Sequence, residues 1–228
     1  MKISQRPSPN FGNRADSGKI DKLIFHYTGM KSGEESLARL CDIASEVSAH
    51  YFVDEDGTVT QLVDEEKRAW HAGISYWAGE TDINGQSIGI EMQNPGHEWG
   101  YREFPELQID ALIELATDIL TRYAIPAKNV LGHSDIAPKR KQDPGELFPW
   151  HRLAKTNIGY FPEPQKKYVS SAMSENDLLN CLNNIGYDPD SSLHDVVIAF
   201  QRHFRQTNID GTIDRETAQL IEACAKIA

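Results

Sequence analysis

Two histidines and one aspartate have the residue types and the placement needed to bind a metal ion. His26 lies in the apolar stretch LIFHYT, His133 ends the stretch NVLGH, and Asp143 follows ten positions later in a loop rich in proline and glycine. A catalytic zinc site takes three such ligands and leaves a fourth position open for water. Two neutral imidazoles and one carboxylate would leave the ion a net charge of about +1, which lowers the pKa of a bound water towards ~7.

A structural role is the alternative for each histidine. A lone histidine at the end of a strand often serves only as a hydrogen-bonding residue. The chain contains no compact metal motif such as HExxH, so spacing by itself is weak support for a metal site. Both interpretations remain open at this point.

Glu91 and Lys141 could add proton transfer and positive charge beside such an ion. In the stretch SIGIEM, Glu91 alternates with apolar residues and therefore faces away from them, with Gly89 as a neighbour that leaves open space. A carboxylate there could take a proton from water and return it to a leaving nitrogen. Lys141, two residues before Asp143, could stabilise a developing oxyanion. The alternatives are a solvated or salt-bridged glutamate and an ordinary surface lysine in a basic loop.

Alternating strand and helix patterns must position these residues. Apolar runs predict strands and apolar stripes at helical spacing predict helices. The predicted elements are strands at 23–28, 87–92 and 129–133, a hairpin around Asp56 and Gly57, a helix in 33–47 and a helix from about Pro105 to Pro126. This order predicts an α/β fold in which helices pack on a central sheet.

The composition changes along the chain and indicates two domains. Residues 1–19 are predicted to form an irregular lead-in to a catalytic domain at 1–162, and a proline- and lysine-containing stretch predicts a linker at 163–173. Three helical patterns at 174–228 predict a small all-α domain, with Ser174 and Asp214 as helix N-caps. This second domain offers no convergent set of chemical residues, which favours binding over catalysis.

The charge and hydropathy of the chain exclude several classes of function. The 228 residues carry a net charge of −11, whereas general nucleic-acid binding needs a basic surface. No apolar run approaches the length of a membrane span. The N-terminal residues contain no apolar signal segment, which predicts a cytoplasmic protein.

Four motifs in a fixed order carry a family resemblance. They are LIFHYTGM, VSAHYFVDEDGTVTQLVDEEKRAWHAG, SIGIEMQNPG and GHSDIAPKRKQDPG followed by FPW, between about Ser8 and Pro162. Together they resemble the zinc-dependent N-acetylmuramoyl-L-alanine amidases of the AmpD and AmiD type, whose fold is shared with peptidoglycan-recognition proteins. This resemblance implies a central mixed β-sheet flanked by helices. The tail, through NNIGYDP, VVIAFQRHFRQ and IDGTIDRETAQLI, resembles a three-helix peptidoglycan-binding module.

The resemblance also implies a role for each residue of the candidate site. His26, His133 and Asp143 match the ligands of one Zn²⁺ per chain. Glu91 matches the catalytic glutamate, which acts as general base and then as general acid. Lys141 matches the lysine that stabilises the tetrahedral intermediate.

Further residues in the same motifs are expected to contact the substrate. Trp70, His71 and Asn94 are assigned to substrate binding, whereas His50 is expected to be a structural residue that is hydrogen-bonded within the sheet. Some relatives carry cysteine where this chain has Asp143, and non-catalytic relatives lose a ligand there. Aspartate preserves a charged ligand, so the residue set favours an active enzyme.

The implied reaction is zinc-dependent hydrolysis of the amide between N-acetylmuramic acid and L-alanine. Its substrates would be peptidoglycan or its muropeptide fragments. Two alternatives stay open, namely a peptidoglycan-recognition protein that does not cut and a zinc hydrolase that acts on a peptide cross-link. The N-terminus predicts a cytoplasmic protein, and the alternative suggested by the wall-binding tail is a periplasmic or cell-wall-associated one.

Overall fold

The computed structural model of this chain describes residues 2–15, 18–162 and 173–227. The linker predicted at 163–173 lies outside the described residues, apart from Met173. Within the described part, no helix is both long enough and apolar enough to cross a membrane.

The strands form one mixed sheet and one small ribbon. They are β1 (Ile3–Gln5), β2 (Phe11–Asn13), β3 (Lys22–Tyr27), β4 (Tyr51–Val53), β5 (Val59–Gln61), β6 (Lys67–Ala69), β7 (Ser87–Met92) and β8 (Val130–Gly132). Strands β2 and β6 pair in antiparallel fashion, and the other strands form a six-stranded sheet in the order β1-β5-β4-β7-β3-β8. In that sheet the β4–β5 hairpin is antiparallel and the remaining pairs are parallel. The central mixed sheet is therefore confirmed.

The helices connect and follow these strands. They are α1 (Gly33–Leu40), α2 (Ile83–Gln86), α3 (Gly96–Trp99), α4 (Glu106–Arg122), α5 (His133–Ile136), α6 (Trp150–Lys155), α7 (Glu175–Ile185), α8 (Leu193–Phe204) and α9 (Arg215–Ala225). Two 3₁₀ turns lie at Ile43–Ser45 and Ala127–Asn129. The helices lie on both faces of the sheet, as expected for the α/β class.

One face of the sheet forms the main core against α4. Alternation along β7 puts Ile88, Ile90 and Met92 into the same buried cluster as the apolar stripe of α4. The intervening residues, Gly89 and Glu91, consequently point to the opposite face. That second face carries the polar residues of the candidate site.

Three local predictions were wrong. Residues 1–19 are not irregular throughout, because Ile3 of β1 pairs with Val59 of β5. The prediction missed this strand because its pairing partner lies far away in the sequence. The first helix ends at Leu40 instead of continuing to Ala44, since the Asp42 side chain accepts a hydrogen bond from the Ala44 amide and starts a 3₁₀ turn. The fourth helix ends at Arg122, before Pro126 is reached.

The predicted strand 129–133 also differs in a way that matters for the site. Strand β8 stops at Gly132, and His133 is the first residue of α5 instead of the last residue of the strand. The cause is Asp135, whose carboxylate accepts a hydrogen bond from the Gly132 amide at 2.8 Å and caps the short helix.

The C-terminal residues form the three predicted helices and pack on the sheet. Ser174 and Asp214 cap α7 and α9 by accepting hydrogen bonds from backbone amides, as predicted. These helices do not stand apart from the sheet. The buried cluster of the tail includes Ile24 of β3, Leu131 of β8 and Ile136 of α5.

Candidate metal centre and active site

The side chains of His26, His133 and Asp143 meet at one point. The two Nδ1 atoms of the histidines are 2.9 Å apart, and each lies 3.0 Å from Oδ2 of Asp143. All three residues are buried. In the described part of the chain, this group has the atoms and the spacing to hold a metal ion.

The parallel strands explain this convergence. His26 lies near the carboxyl end of β3, and His133 follows its neighbour β8, so both reach the same edge of the sheet. The loop after α5 returns Asp143 to the side of His133, because the Asp143 carbonyl accepts a hydrogen bond from the Ser134 amide at 2.9 Å. Two of the three side chains are thus held by one short helix and its following loop.

A chain of hydrogen bonds fixes the tautomer of His26. The Ser87 hydroxyl donates to the Ile83 carbonyl at 2.6 Å and therefore accepts from Nε2–H of His71 at 3.1 Å. Burial lowers the pKa of His71 well below its usual value, so the ring is neutral and its Nδ1 carries a lone pair. That lone pair accepts from Nε2–H of His26 at 3.0 Å. The Nδ1 of His26 is then left without a proton.

The tautomer of His133 follows in the same way. Its Nε2–H donates to the Ala72 carbonyl at 3.0 Å, so in the neutral ring the lone pair lies on Nδ1. Burial and the nearby His133 lower the pKa of His26 to about 4, so that ring is neutral at pH 7. With both rings neutral, two lone pairs and the carboxylate of Asp143 face one another at 2.9–3.0 Å. Such an arrangement repels unless a cation lies at its centre, and imidazole and carboxylate are ligands that zinc prefers.

Glu91 lies next to this group with an unpartnered carboxylate. It pairs in register with His26 across β3 and β7, so both side chains lie on the same face of the sheet. Its Oε2 atom is buried and has no hydrogen-bond partner among the described residues. Burial, reinforced by the charge of Asp143, raises the pKa of Glu91 well above its usual value. A carboxyl group in this state is typical of a general acid or base.

An unpartnered carboxylate should weaken the fold. Replacing Glu91 by glutamine is expected to raise the free energy of unfolding of the zinc-free protein by about 1 kcal/mol at pH 7, because a neutral amide costs less to bury. The raised pKa means that the folded state retains a proton which the unfolded chain releases above the ordinary glutamate pKa. Wild-type stability should therefore fall with rising pH relative to Glu91→Gln.

Urea unfolding of both proteins between pH 5 and pH 8 measures this difference. A difference in stability that is flat across this range, or that shrinks as the pH rises, would contradict the prediction.

The space beside Glu91 is filled by His71. Gly89 was predicted to leave that space open, but a Cβ atom at Gly89 would lie 2.5 Å from Cγ of the His71 ring. The missing side chain of Gly89 therefore lets the His71 ring reach His26 over the face of the sheet. His50 lies behind it and accepts the Gly89 amide at Nδ1, which is the structural role expected from the sequence.

Gly89 is consequently expected to tolerate no side chain. Gly89→Ala should displace His71, lower the free energy of unfolding by about 1–3 kcal/mol and weaken zinc binding. Denaturant unfolding and competition with a chelator measure the two effects. Gly12→Ala is the matched control, because no atom there lies closer than 3.9 Å to the added methyl group. Equal stability and equal zinc affinity of the two variants would contradict the view that Gly89 makes room for the His71 ring.

A cavity of about 590 Å³ opens directly over these residues. Its walls include Trp70, His71 and Lys141, three of the residues predicted to contact substrate or intermediate. The ammonium group of Lys141 has no hydrogen-bond or ion-pair partner among the described residues. It is therefore available to a ligand in the cavity.

Asn94 does not belong to this cavity. It is fully buried, its amide donates to the Arg102 carbonyl at 2.7 Å and its side-chain oxygen accepts from the Gly96 amide at 3.1 Å. Both ends of the side chain are used to fix the loop after β7. The prediction that Asn94 binds substrate has no support in this geometry.

Two cationic residues of the cavity were missed by the sequence analysis. Arg39 lines the cavity from α1, and Arg140 lines it while donating to the carbonyls of Ala72 and Ile74 at 2.8 and 2.7 Å. In the sequence, Arg140 belongs to the run KRK, which is typical of a surface loop. The backbone carbonyls that hold its guanidinium lie more than sixty residues earlier, so no local pattern could have identified it.

Known proteins are similar to this chain over most of its length. Residues 16–146 match the family described as N-acetylmuramoyl-L-alanine amidase. The chain is 41% identical over 229 residues to the N-acetylmuramoyl-L-alanine amidase AmiD of Escherichia coli strain K12, covering 90% of this chain and 82% of that protein. It is 33% identical over 166 residues to the 1,6-anhydro-N-acetylmuramyl-L-alanine amidase AmpD of Enterobacter cloacae. This match covers 64% of this chain and 86% of that protein.

A solved structure agrees with these matches over nearly the whole chain. It is the complex of Escherichia coli AmiD with the substrate anhydro-N-acetylmuramic acid-L-Ala-D-gamma-Glu-L-Lys. This structure matches with a TM-score of 0.83 at 40% identity, covering 94% of this chain and 92% of that one.

The fold, the cavity and these matches define an α/β enzyme of the amidase class. The family match covers more than half of the chain, and the identity to AmiD extends over most of both proteins. The chain belongs to the N-acetylmuramoyl-L-alanine amidase family.

Proposed function

We propose that this chain hydrolyses the amide between the lactyl group of N-acetylmuramic acid and the L-alanine of a stem peptide. In this proposal His26, His133 and Asp143 hold one Zn²⁺ per chain. The observation that carries it is the meeting of two imidazole lone pairs and a carboxylate, beside the unpartnered Glu91. The AmiD complex, whose bound substrate contains this bond, supports the choice of substrate class.

The chemistry divides between the ion and the side chains. A zinc ion in this position would polarise the scissile carbonyl and lower the pKa of a bound water towards ~7. Glu91 takes a proton from the attacking water and returns it to the leaving nitrogen of L-alanine. Burial, which raises the pKa of Glu91, favours the protonated form that must persist between the two steps. Lys141 donates to the oxygen that becomes negatively charged in the tetrahedral intermediate.

The walls of the cavity suit an anionic peptide attached to a sugar. Arg39 and Arg140 provide positive charge for carboxylates of the stem peptide, and the half-buried Trp70 offers an apolar surface. His71 lines the same cavity, but both of its ring nitrogens are used by His26 and Ser87. Its role in this proposal is therefore to orient His26 rather than to bind substrate.

The C-terminal helices are proposed to add affinity for polymeric substrate. In this proposal residues 163–173 form the linker and 174–228 form a peptidoglycan-binding module, which raises the local concentration of substrate at the cavity. Kinetic comparison of intact sacculi with small muropeptides tests the preference for polymer. Cell fractionation followed by an amidase assay of each fraction distinguishes the cytoplasmic prediction from a periplasmic or wall-associated one.

The proposed reaction is tested by product analysis. The purified chain incubated with muropeptides should release free stem peptide with an intact amino terminus, and a zinc chelator should stop the release. Mass spectrometry separates this product from those of cross-link cleavage, and tight binding without any product would indicate a recognition protein instead. Stem-peptide release that persists after complete removal of metal would contradict the proposal.

A further inference from the structure

The carboxylate of Asp135 is buried where α5 meets the C-terminal helices. Its Oδ2 accepts hydrogen bonds from the Gly132 amide and from Nδ1–H of His203, both at 2.8 Å. Its Oδ1 accepts from the hydroxyl of Tyr187 at 2.8 Å. Asp135 and Tyr187 are each 1% exposed and His203 is 4% exposed, so water does not replace these donors. Two of the three donors come from the tail.

Asp135 is closely connected to the candidate metal ligands. It lies in the same single turn of helix as His133, and its carboxylate fixes where that helix starts. The amide of Ser134, the residue after His133, donates a hydrogen bond to the carbonyl of Asp143 at 2.9 Å. The position of α5 therefore determines where two of the three candidate ligands lie.

The tail residues that hold Asp135 are themselves rigidly packed. The Tyr187 ring contacts Trp77 edge-on, with ring centroids 5.1 Å apart. The His203 ring is stacked between Trp150 and Phe204, at centroid distances of 3.7 and 3.9 Å. Because aromatic contacts orient both donors, Tyr187 and His203 present a fixed frame to Asp135.

We propose that Tyr187 and His203 are positioning residues of the metal centre and that the C-terminal helices form part of it. They hold Asp135, and through α5 they hold His133 and Asp143 at the spacing that an ion needs. This inference rests on the proposed function. The inference goes beyond the proposed function, because C-terminal helices that only tether substrate would leave the metal affinity and the chemical step unchanged.

The test is the substitution Tyr187→Phe in the full chain. This change removes the hydroxyl and keeps the ring, so Asp135 loses one of its three donors. We expect the dissociation constant for zinc, measured by competition with a chromogenic chelator, to rise about tenfold, the lower end of what is usual for residues that bond a metal ligand directly. At saturating zinc, kcat for a small muropeptide should fall while KM stays within about twofold, because Tyr187 does not line the cavity.

The matched control is Tyr51→Phe. Tyr51 is also buried, and its hydroxyl donates to Glu65 at 2.8 Å in the core on the opposite face of the sheet. This variant loses a comparable buried hydrogen bond, so it should lose comparable stability and keep its affinity for zinc. Thermal unfolding of the zinc-free proteins shows whether each variant is folded.

A second pair of variants tests the donor of His203. In His203→Asn the amide nitrogen takes the place of Nδ1, whereas in His203→Gln it takes the place of Nε2. Both variants lose the stacked ring, but only asparagine retains a donor towards Asp135. Asparagine should therefore restore zinc affinity and kcat relative to glutamine.

The outcomes separate this inference from the proposed function. Wild-type protein that neither binds zinc nor releases stem peptide would overturn the proposed function and this inference together. Wild-type protein that binds zinc no more tightly than Tyr187→Phe, with equal kcat, would overturn this inference and leave the proposed function standing. Equal zinc affinity of the two His203 variants would likewise exclude a role for that donor.

Discussion

Glu91→Gln is expected to reduce kcat by about 10²–10⁴-fold, the usual contribution of a positioned general acid–base group. Glutamine has nearly the same shape but cannot take a proton from water. Glu91 is not one of the three converging ligands, so the variant should bind zinc as tightly as the wild type. The change therefore separates proton transfer from metal binding.

The measurement is stem-peptide release at saturating zinc, with zinc content determined on the same sample. Glu66→Gln serves as control, since Glu66 is exposed and does not line the cavity. A Glu91→Gln protein with undiminished turnover would exclude Glu91 as the base. A protein that has lost its zinc would instead make Glu91 a ligand.

Asp143→Ala should abolish zinc binding and activity together. It removes the only anion of the converging group and leaves two imidazoles to hold a dication. We expect zinc affinity to fall by more than the 10–100-fold that is usual for outer-shell changes, and stem-peptide release to fall below about 1% of wild type. The free energy of unfolding of the zinc-free protein should change much less than the free energy of zinc binding, because the substitution relieves the repulsion among the three groups.

Chelator competition and the muropeptide assay measure these effects. The control is Asp110→Ala, which removes an exposed carboxylate paired with Arg152 on the surface of α4. Stem-peptide release by Asp143→Ala at the wild-type rate, insensitive to chelator, would show that the reaction needs no metal at this place.

Short-range patterns in the sequence were sufficient for the fold class and many of its elements. Strand β7, the β4–β5 hairpin and the N-terminus of α4 were predictable because side chains alternate every two residues in a strand and repeat every 3.6 in a helix. The N-caps at Ser174 and Asp214 were predictable because capping involves residues only three positions away. The family motifs supplied the candidate site residues, which spacing alone had left open.

Features that depend on distant partners were decided only by the tertiary structure. His26 meets His133 and Asp143 across 107 and 117 residues of chain, and His71 reaches His26 because Gly89 lacks a side chain. Strand β1 and the capping of α5 by Asp135 also depend on partners that no local pattern reveals.

The tail illustrates the same division. Its three helices follow from amphipathic patterns and caps, so the sequence predicts a small helical module. The sequence does not show that Tyr187 and His203 donate to Asp135 in another part of the chain. The types of residue available for chemistry are written in the sequence. Their proton positions and mutual distances are set by hydrogen-bond partners that only folding brings together.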